Sequence, residues 1–245
     1  MTKLDQFMAL MHDQVGRGIY VWGADGEDLT AMKDPEAWIE RHAATVENGK
    51  LALNLFRKMK DKGINPIRAF DCSGLIYWGL HTLKLQKSDI SSRGIYGLCT
   101  KIEKKDLRVG DFVFHHDGKK IVHVGVYAGQ NLYIEDRGSK YGVVLNKTHY
   151  AGYWNRFGRW KAFENQEIDP DKPKTRVYVK AKSVNIRSVD HVPTNKKEKA
   201  ETVIGIAHKG ETYRLLEIAP TGWYKIEYNG SEGYISNKPT LTELV

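Results

Sequence analysis

The sequence predicts an α+β domain followed by a small all-β domain, and three observations carry that prediction. Apolar residues recur with a helical period as far as residue 84, and from residue 111 the period changes to two. Residues 164–175, ENQEIDPDKPKT, combine charge with two prolines and a single large apolar side chain, Ile168, as an exposed linker does. Beyond that stretch every apolar segment is short and alternating, which suits a closed all-β unit that leaves no sheet edge exposed. The expected boundaries are therefore 1–165 for the first domain, 166–175 for the linker and 176–245 for the second domain.

Each element follows from local chemistry. Leu4 to Gln14 carries apolar residues at 4, 7, 8, 10 and 11 and should stop near Gly16 or Gly18. Asp34-Pro35-Glu36 supplies an N-cap, a first-turn proline and an early acid, so a helix is expected from Pro35 to about Val46. Asn48-Gly49 is expected to interrupt it before a second amphipathic stretch, Leu51 to Met59. Residues 71–84 form a core helix with Leu75, Ile76, Leu80 and Leu83 on one stripe. Strands are expected at 112–114, 122–127, 132–134 and 143–145, then at 176–180, 184–187, 203–207, 212–218, 223–228 and 232–235. Asn229-Gly230 marks a type I′ hairpin between the last two.

Composition narrows the function classes. With 41% apolar and 11% aromatic residues the chain is too apolar to be disordered. A net charge of +8 implies attraction to something acidic: nucleic acid, anionic lipid or an anionic bacterial wall. No basic helix or nucleic-acid motif accompanies that charge, so nucleic acid is not the expected partner. No apolar run approaches the roughly 18 residues of a membrane span, and the N-terminal residues show no secretion-signal pattern. The presence of only two cysteines, Cys72 and Cys99, argues against a disulfide scaffold, and no Cys/His cluster has zinc spacing, so neither metal nor cofactor is expected.

Cys72 stands between Asp71 and Ser73-Gly74 at the start of the core helix, where unpaired N–H groups and the helix dipole stabilise a thiolate. A buried structural cysteine is the bland alternative, but this position lies outside the apolar stripe and favours a nucleophile. A thiolate needs a base, and His123 sits in the otherwise apolar strand Ile121-Val122-His123-Val124-Gly125-Val126-Tyr127. A third group should orient the imidazole through its second nitrogen. The next strand offers Glu135 and Asp136, whose side chains must face opposite sides, so only one of them can do so.

Taken in order, these residues resemble the NlpC/P60 family of papain-like cysteine peptidases that hydrolyse cell-wall peptides. Tyr20-Val21-Trp22-Gly23 is similar to that family's Tyr-x-Trp-Gly-Gly, and Asp71-Cys72-Ser73-Gly74-Leu75 to its nucleophile turn. Asp106-Leu107-Arg108-Val109-Gly110-Asp111-Phe112-Val113-Phe114 resembles Leu-x-Pro-Gly-Asp-Leu-Val-Phe, and His123-Val124-Gly125-Val126-Tyr127 resembles the base strand His-Val-Gly-Ile-Tyr. The resemblance implies catalytic roles for Cys72, His123, Glu135 and Tyr20, with Asp71, Ser73 and Trp22 facing substrate and the Cys72 N–H in an oxyanion hole. The sequence departs from the family at three places: Glu135 replaces the usual His, Asn or Gln, Ala24 replaces the second glycine, and residues 24–70 form a longer insertion. The second domain resembles a bacterial SH3 domain through Val184-Asn185-Ile186-Arg187-Ser188, Gly222-Trp223-Tyr224-Lys225-Ile226 and Gly233-Tyr234-Ile235. Lys196, Lys197 and Lys199 read as a solvated loop.

The resemblance thus implies a papain-like catalytic domain followed by an SH3-type wall-binding barrel. It implies a peptidoglycan hydrolase without a cofactor, cutting either the γ-D-glutamyl to diamino-acid bond or the muramoyl–L-alanine amide, with preference for the first. With no signal sequence seen, the expected setting is that of a phage endolysin, made in the bacterial cytoplasm and released through a separate membrane pore. The rival from another class is a wall-binding protein whose papain-like domain is only a scaffold.

Overall fold

Thr2 opens helix α1 (Lys3–Gln14) with a capping box: its side chain accepts the Asp5 N–H while the Asp5 carboxylate accepts the Thr2 N–H. The computed structural model describes residues 2–61, 63–129, 131–147, 149–166, 176–209, 211–229 and 231–244. Of the expected linker 166–175, only Gln166 lies among them. The chain divides into two compact units, Met1–Asp169 and Pro170–Val245.

In the first unit α1 buries Leu4, Phe7, Met8 and Met11, the stripe its period predicts. Three short strands follow that the sequence reading missed because none shows alternation: β1 (Gly18–Tyr20), β2 (Asp25–Asp28) and, after two helices, β3 (Arg68–Phe70). They form a small sheet in the order β1-β3-β2, with Tyr20 paired in parallel to Phe70. The helices between them are α2 (Pro35–His42) and α3 (Val46–Asp61). The first ends earlier than expected, and the second runs straight through Asn48-Gly49 instead of being interrupted there. The Thr45 hydroxyl accepts the Asn48 N–H at 3.1 Å, so the Asn-Gly pair sits in the first turn, where hydroxyl caps are effective.

Helix α4 (Cys72–Thr82) is the core helix, with Leu75, Ile76 and Leu80 fully buried. It is followed by α5 (Ser92–Leu98), β4 (Cys99–Lys101), β5 (Phe112–His116), β6 (Ile121–Gly129), β7 (Leu132–Asp136), β8 (Val143–Lys147) and β9 (Arg156–Trp160). The strands make one sheet in the order β4-β9-β5-β6-β7-β8. Phe112, Phe114, Val124 and Val126 on β5 and β6 are fully buried, and α4 lies against β6 and β7. Burying each such side chain contributes about 1.5–3 kcal/mol, which is what ties the nucleophile's helix to the base's strand.

In the second unit, β10 (Arg176–Val179), β11 (Ser183–Arg187), α6 (Lys196–Glu201), β12 (Val203–His208), β13 (Thr212–Ile218), β14 (Tyr224–Tyr228), β15 (Ser231–Ile235) and β16 (Thr242–Leu244) follow one another. Among the described residues they form a seven-stranded sheet in the order β12-β11-β15-β14-β13-β10-β16. Val177, Val179, Ile186, Ala207, Ile226 and Ile235 are its fully buried centre. Asn229 has φ 51°, the left-handed conformation that a type I′ turn requires, while Gly230 lies outside the described residues. The Lys196, Lys197 and Lys199 run is a short helix and not the expected loop. The Asn195 side chain caps it through the Lys197 N–H, and the Arg187 guanidinium donates to the Lys199 carbonyl at 2.6 Å.

Candidate active site

The site begins with Asp71, which caps α4. Its Oδ1 accepts the N–H groups of Ser73 (2.9 Å) and Gly74 (2.7 Å) and the Ser73 hydroxyl (2.9 Å), while Oδ2 accepts the Gly23 N–H at 3.2 Å. The resemblance turned Asp71 and Ser73 toward substrate; the structure instead engages both oxygens of Asp71, and the Ser73 hydroxyl, in building the turn. Gly74 is required there, because a Cβ would lie 1.9 Å from the Ala24 carbonyl oxygen. Cys72 therefore starts α4 in a fixed position, largely buried and free of any disulfide. Its N–H occupies a helix position with no intrahelical acceptor.

His123 comes from β6 and shares a hydrogen bond with the Cys72 side chain. Its Nε2 lies 2.7 Å from Oε2 of Glu135 on β7. An ionised carboxylate only accepts, so Nε2 carries a proton and Nδ1 is the nitrogen left for sulfur. Glu135 and Asp136 are both fully buried, and it is Glu135 that meets the imidazole. Gly125 makes room for this approach: a Cβ on it would lie 3.3 Å from the Glu135 Cβ, 3.2 Å from Trp154 and 3.0 Å from the Ile134 carbonyl oxygen. The Trp154 ring stacks on His123 with centroids 5.6 Å apart and planes within 14°.

The electrostatics suit an ion pair. Burial depresses the His123 basicity, but the hydrogen bonds and negative charges of Cys72 and Glu135 outweigh it and raise the imidazole to about 10. Burial pushes the Glu135 carboxyl up, and the imidazoles of His123 and His149 more than reverse it, leaving it below its ordinary range. Asp136 has no such partner. Burial holds its carboxyl well above the ordinary value, and neither oxygen has a well-formed hydrogen bond among the described residues, the backbone N–H of Gly138 lending only weak stabilisation. Burial together with the charges of Cys72, Asp71 and Asp136 raises the phenol of Tyr20, which ends β1, so it stays a hydroxyl donor. Trp22 is 64% exposed and its ring is free to meet a ligand. Cys99, by contrast, is buried and pushed up to about 12, mainly by that burial, and is inert as a nucleophile.

Sequence reasoning missed the aromatic and imidazole wall behind His123, formed by His149, Tyr153 and Trp154. The signal was present as the run His149-Tyr150-Ala151-Gly152-Tyr153-Trp154, dense in rings just before β9. Among the described residues no group of three or more His, Cys, Asp or Glu is placed to hold a metal ion. No helix there is long and apolar enough to cross a membrane.

The NlpC/P60 family model matches residues 59–159. The chain is 33% identical over 108 residues to a bifunctional muramidase/DL-endopeptidase, CwlT, of Bacillus subtilis, a match covering 40% of this chain and 31% of that protein. It is 30% identical over 128 residues to the murein DD-endopeptidase MepH of Escherichia coli, covering 48% of this chain and 46% of that one. These matches span less than half the length of either curated relative. Among solved structures it is similar to the P60 domain of an antigen from M. avium subspecies paratuberculosis, with 22% identity and a TM-score of 0.41 over 64% of this chain and 93% of that one. Cys72, His123 and Glu135 all lie within residues 59–159, the segment that the NlpC/P60 family model matches.

Proposed function

We propose that the protein is a peptidoglycan hydrolase that cuts an amide bond of the stem peptide through an acyl-enzyme on Cys72. The observation that carries this reading is the line from the Cys72 thiol through His123 to the buried Glu135. The thiolate attacks the carbonyl carbon, and the oxyanion that forms is met by the Cys72 N–H and the Tyr20 hydroxyl. His123 then gives its Nδ1 proton to the leaving amine. Water, deprotonated by the same nitrogen, cleaves the thioester and returns the thiol and the new carboxylate. Exposed Trp22 is a platform for the substrate beside the nucleophile turn. A non-catalytic scaffold would have no use for a fully buried carboxylate aligned on a histidine, which counts against the wall-binding rival.

The bond we assign is γ-D-glutamyl to the diamino acid, a D-to-L linkage, in keeping with the DL-endopeptidase name of the Bacillus subtilis relative. The second unit we take to be an SH3-type wall-binding module, on the strength of its motifs and its β-sheet, and the whole chain to be a lytic enzyme of the endolysin kind. Mass spectrometry of digested peptidoglycan tests the assignment: a new free amine on the diamino acid supports it, and a new amine on L-alanine makes the protein an amidase instead.

A further inference from the structure

Glu135 is held by a second imidazole that the steps above do not use. Nε2 of His149 lies 2.9 Å from Oε1 and 3.0 Å from Oε2 of Glu135. Because the carboxylate only accepts, His149 also presents Nε2–H to it. The His149 ring is itself braced, stacked on Tyr153 at 4.1 Å and 21°. Tyr153 stacks in turn on His115 at 4.3 Å and 5°, and its carbonyl bonds to the His115 Nδ1 at 2.8 Å. With its amide nitrogen turned toward the site, Asn146 donates to Oε1 at 3.2 Å while Arg137 donates to the amide oxygen at 3.0 Å.

We propose that His149 is a positioning residue of this centre: it fixes the Glu135 carboxylate from a second direction, so that the carboxylate in turn fixes His123 against Cys72. The proposal rests on the hydrolase reading above. Without His149, Oε1 of this fully buried carboxylate would keep only the longer 3.2 Å amide contact from Asn146, and the group would turn more freely about its last side-chain bond, which is costly where lone pairs lose their donor. Both imidazoles also keep Glu135 ionised against its burial, so losing one weakens the group that helps hold the proton on His123.

The test is the pH dependence of Cys72 alkylation by iodoacetamide, which needs no wall substrate. In the wild type the alkylation rate should change at an alkaline step, where the imidazolium of His123 loses its proton. In His149→Ala, and in His149→Phe, which keeps a ring on Tyr153 but cannot donate, that step should move to lower pH. Turnover of a soluble muropeptide should fall roughly tenfold with KM unchanged, as when an outer partner of a working imidazole is lost. His149→Gln, whose amide can donate to the carboxylate, should restore both. A wild-type alkylation profile in the Ala and Phe variants, or a Gln variant as impaired as they are, overturns the proposal. Failure of the wild type to cut peptidoglycan would instead refute the hydrolase reading and leave the alkylation comparison intact.

Discussion

Nε2 of His123 and Oε2 of Glu135 stand 2.7 Å apart, and the Glu135 side chain has no exposure to solvent. In so dry a place an ionised carboxylate persists only because imidazole donors surround it, and an imidazole so held can turn only its other nitrogen to sulfur. The strand alternation that points Glu135 at His123 points Asp136 away from it.

Glu135→Gln should preserve most of the geometry and lower kcat moderately. Glu135→Ala should cost roughly a hundred-fold, as misplacing a reacting group does. Asp136→Ala should leave kcat on a soluble muropeptide close to the wild type. The reverse pattern, a silent Glu135→Ala and a crippled Asp136→Ala, would show that the other strand face orients the histidine.

Asp136 should instead reveal itself in stability. Burial, reinforced by the negative charges of Asp71 and Glu135 and opposed by His123, holds its carboxyl protonated in the fold at pH values where the unfolded chain has already released that proton. Over that range the native state binds more protons, so the carboxyl's contribution to stability is full below its ordinary value and falls as pH rises. Asp136→Asn removes this dependence. Thermal melts should show the variant gaining over wild type at about pH 7.5 and gaining much less at about pH 4. An equal shift at both values would mean that Asp136 folds in its ionised form.

The sequence displayed those parts of the site whose chemistry is local. A cap, a thiol and a glycine in succession specify the turn at 71–74, and a histidine within an apolar strand specifies the base. What stayed hidden depends on tertiary placement. Whether Glu135 or Asp136 faces His123 is a matter of register, and the contact of His149 with Glu135 joins residues 14 apart in sequence that no local pattern pairs. The short strands β1 and β3 pair across an insertion of two helices, and nothing in their own three residues announces it. The Asn48-Gly49 pair misled the reading because turn chemistry and first-turn helix chemistry use the same residues.

The second unit should act as a tether. Its basic residues outnumber its acids, so a labelled protein of residues 176–245 should sediment with purified wall at low salt and less so as salt rises. Deleting it should reduce lysis of whole cells far more than cleavage of a soluble muropeptide, since tethering raises local substrate concentration without touching the chemistry. Equal loss of both activities would contradict the tether, as would a unit that stays in the supernatant at low salt.

The central claim is that Cys72 performs the chemistry, and release of new amino groups from purified peptidoglycan tests it most directly. The wild type and Cys99→Ala, which removes a buried thiol pushed up to about 12, should release amines at similar rates. Cys72→Ala should keep the wild-type circular dichroism spectrum and release none. Continued amine release by a folded Cys72→Ala protein would contradict the account.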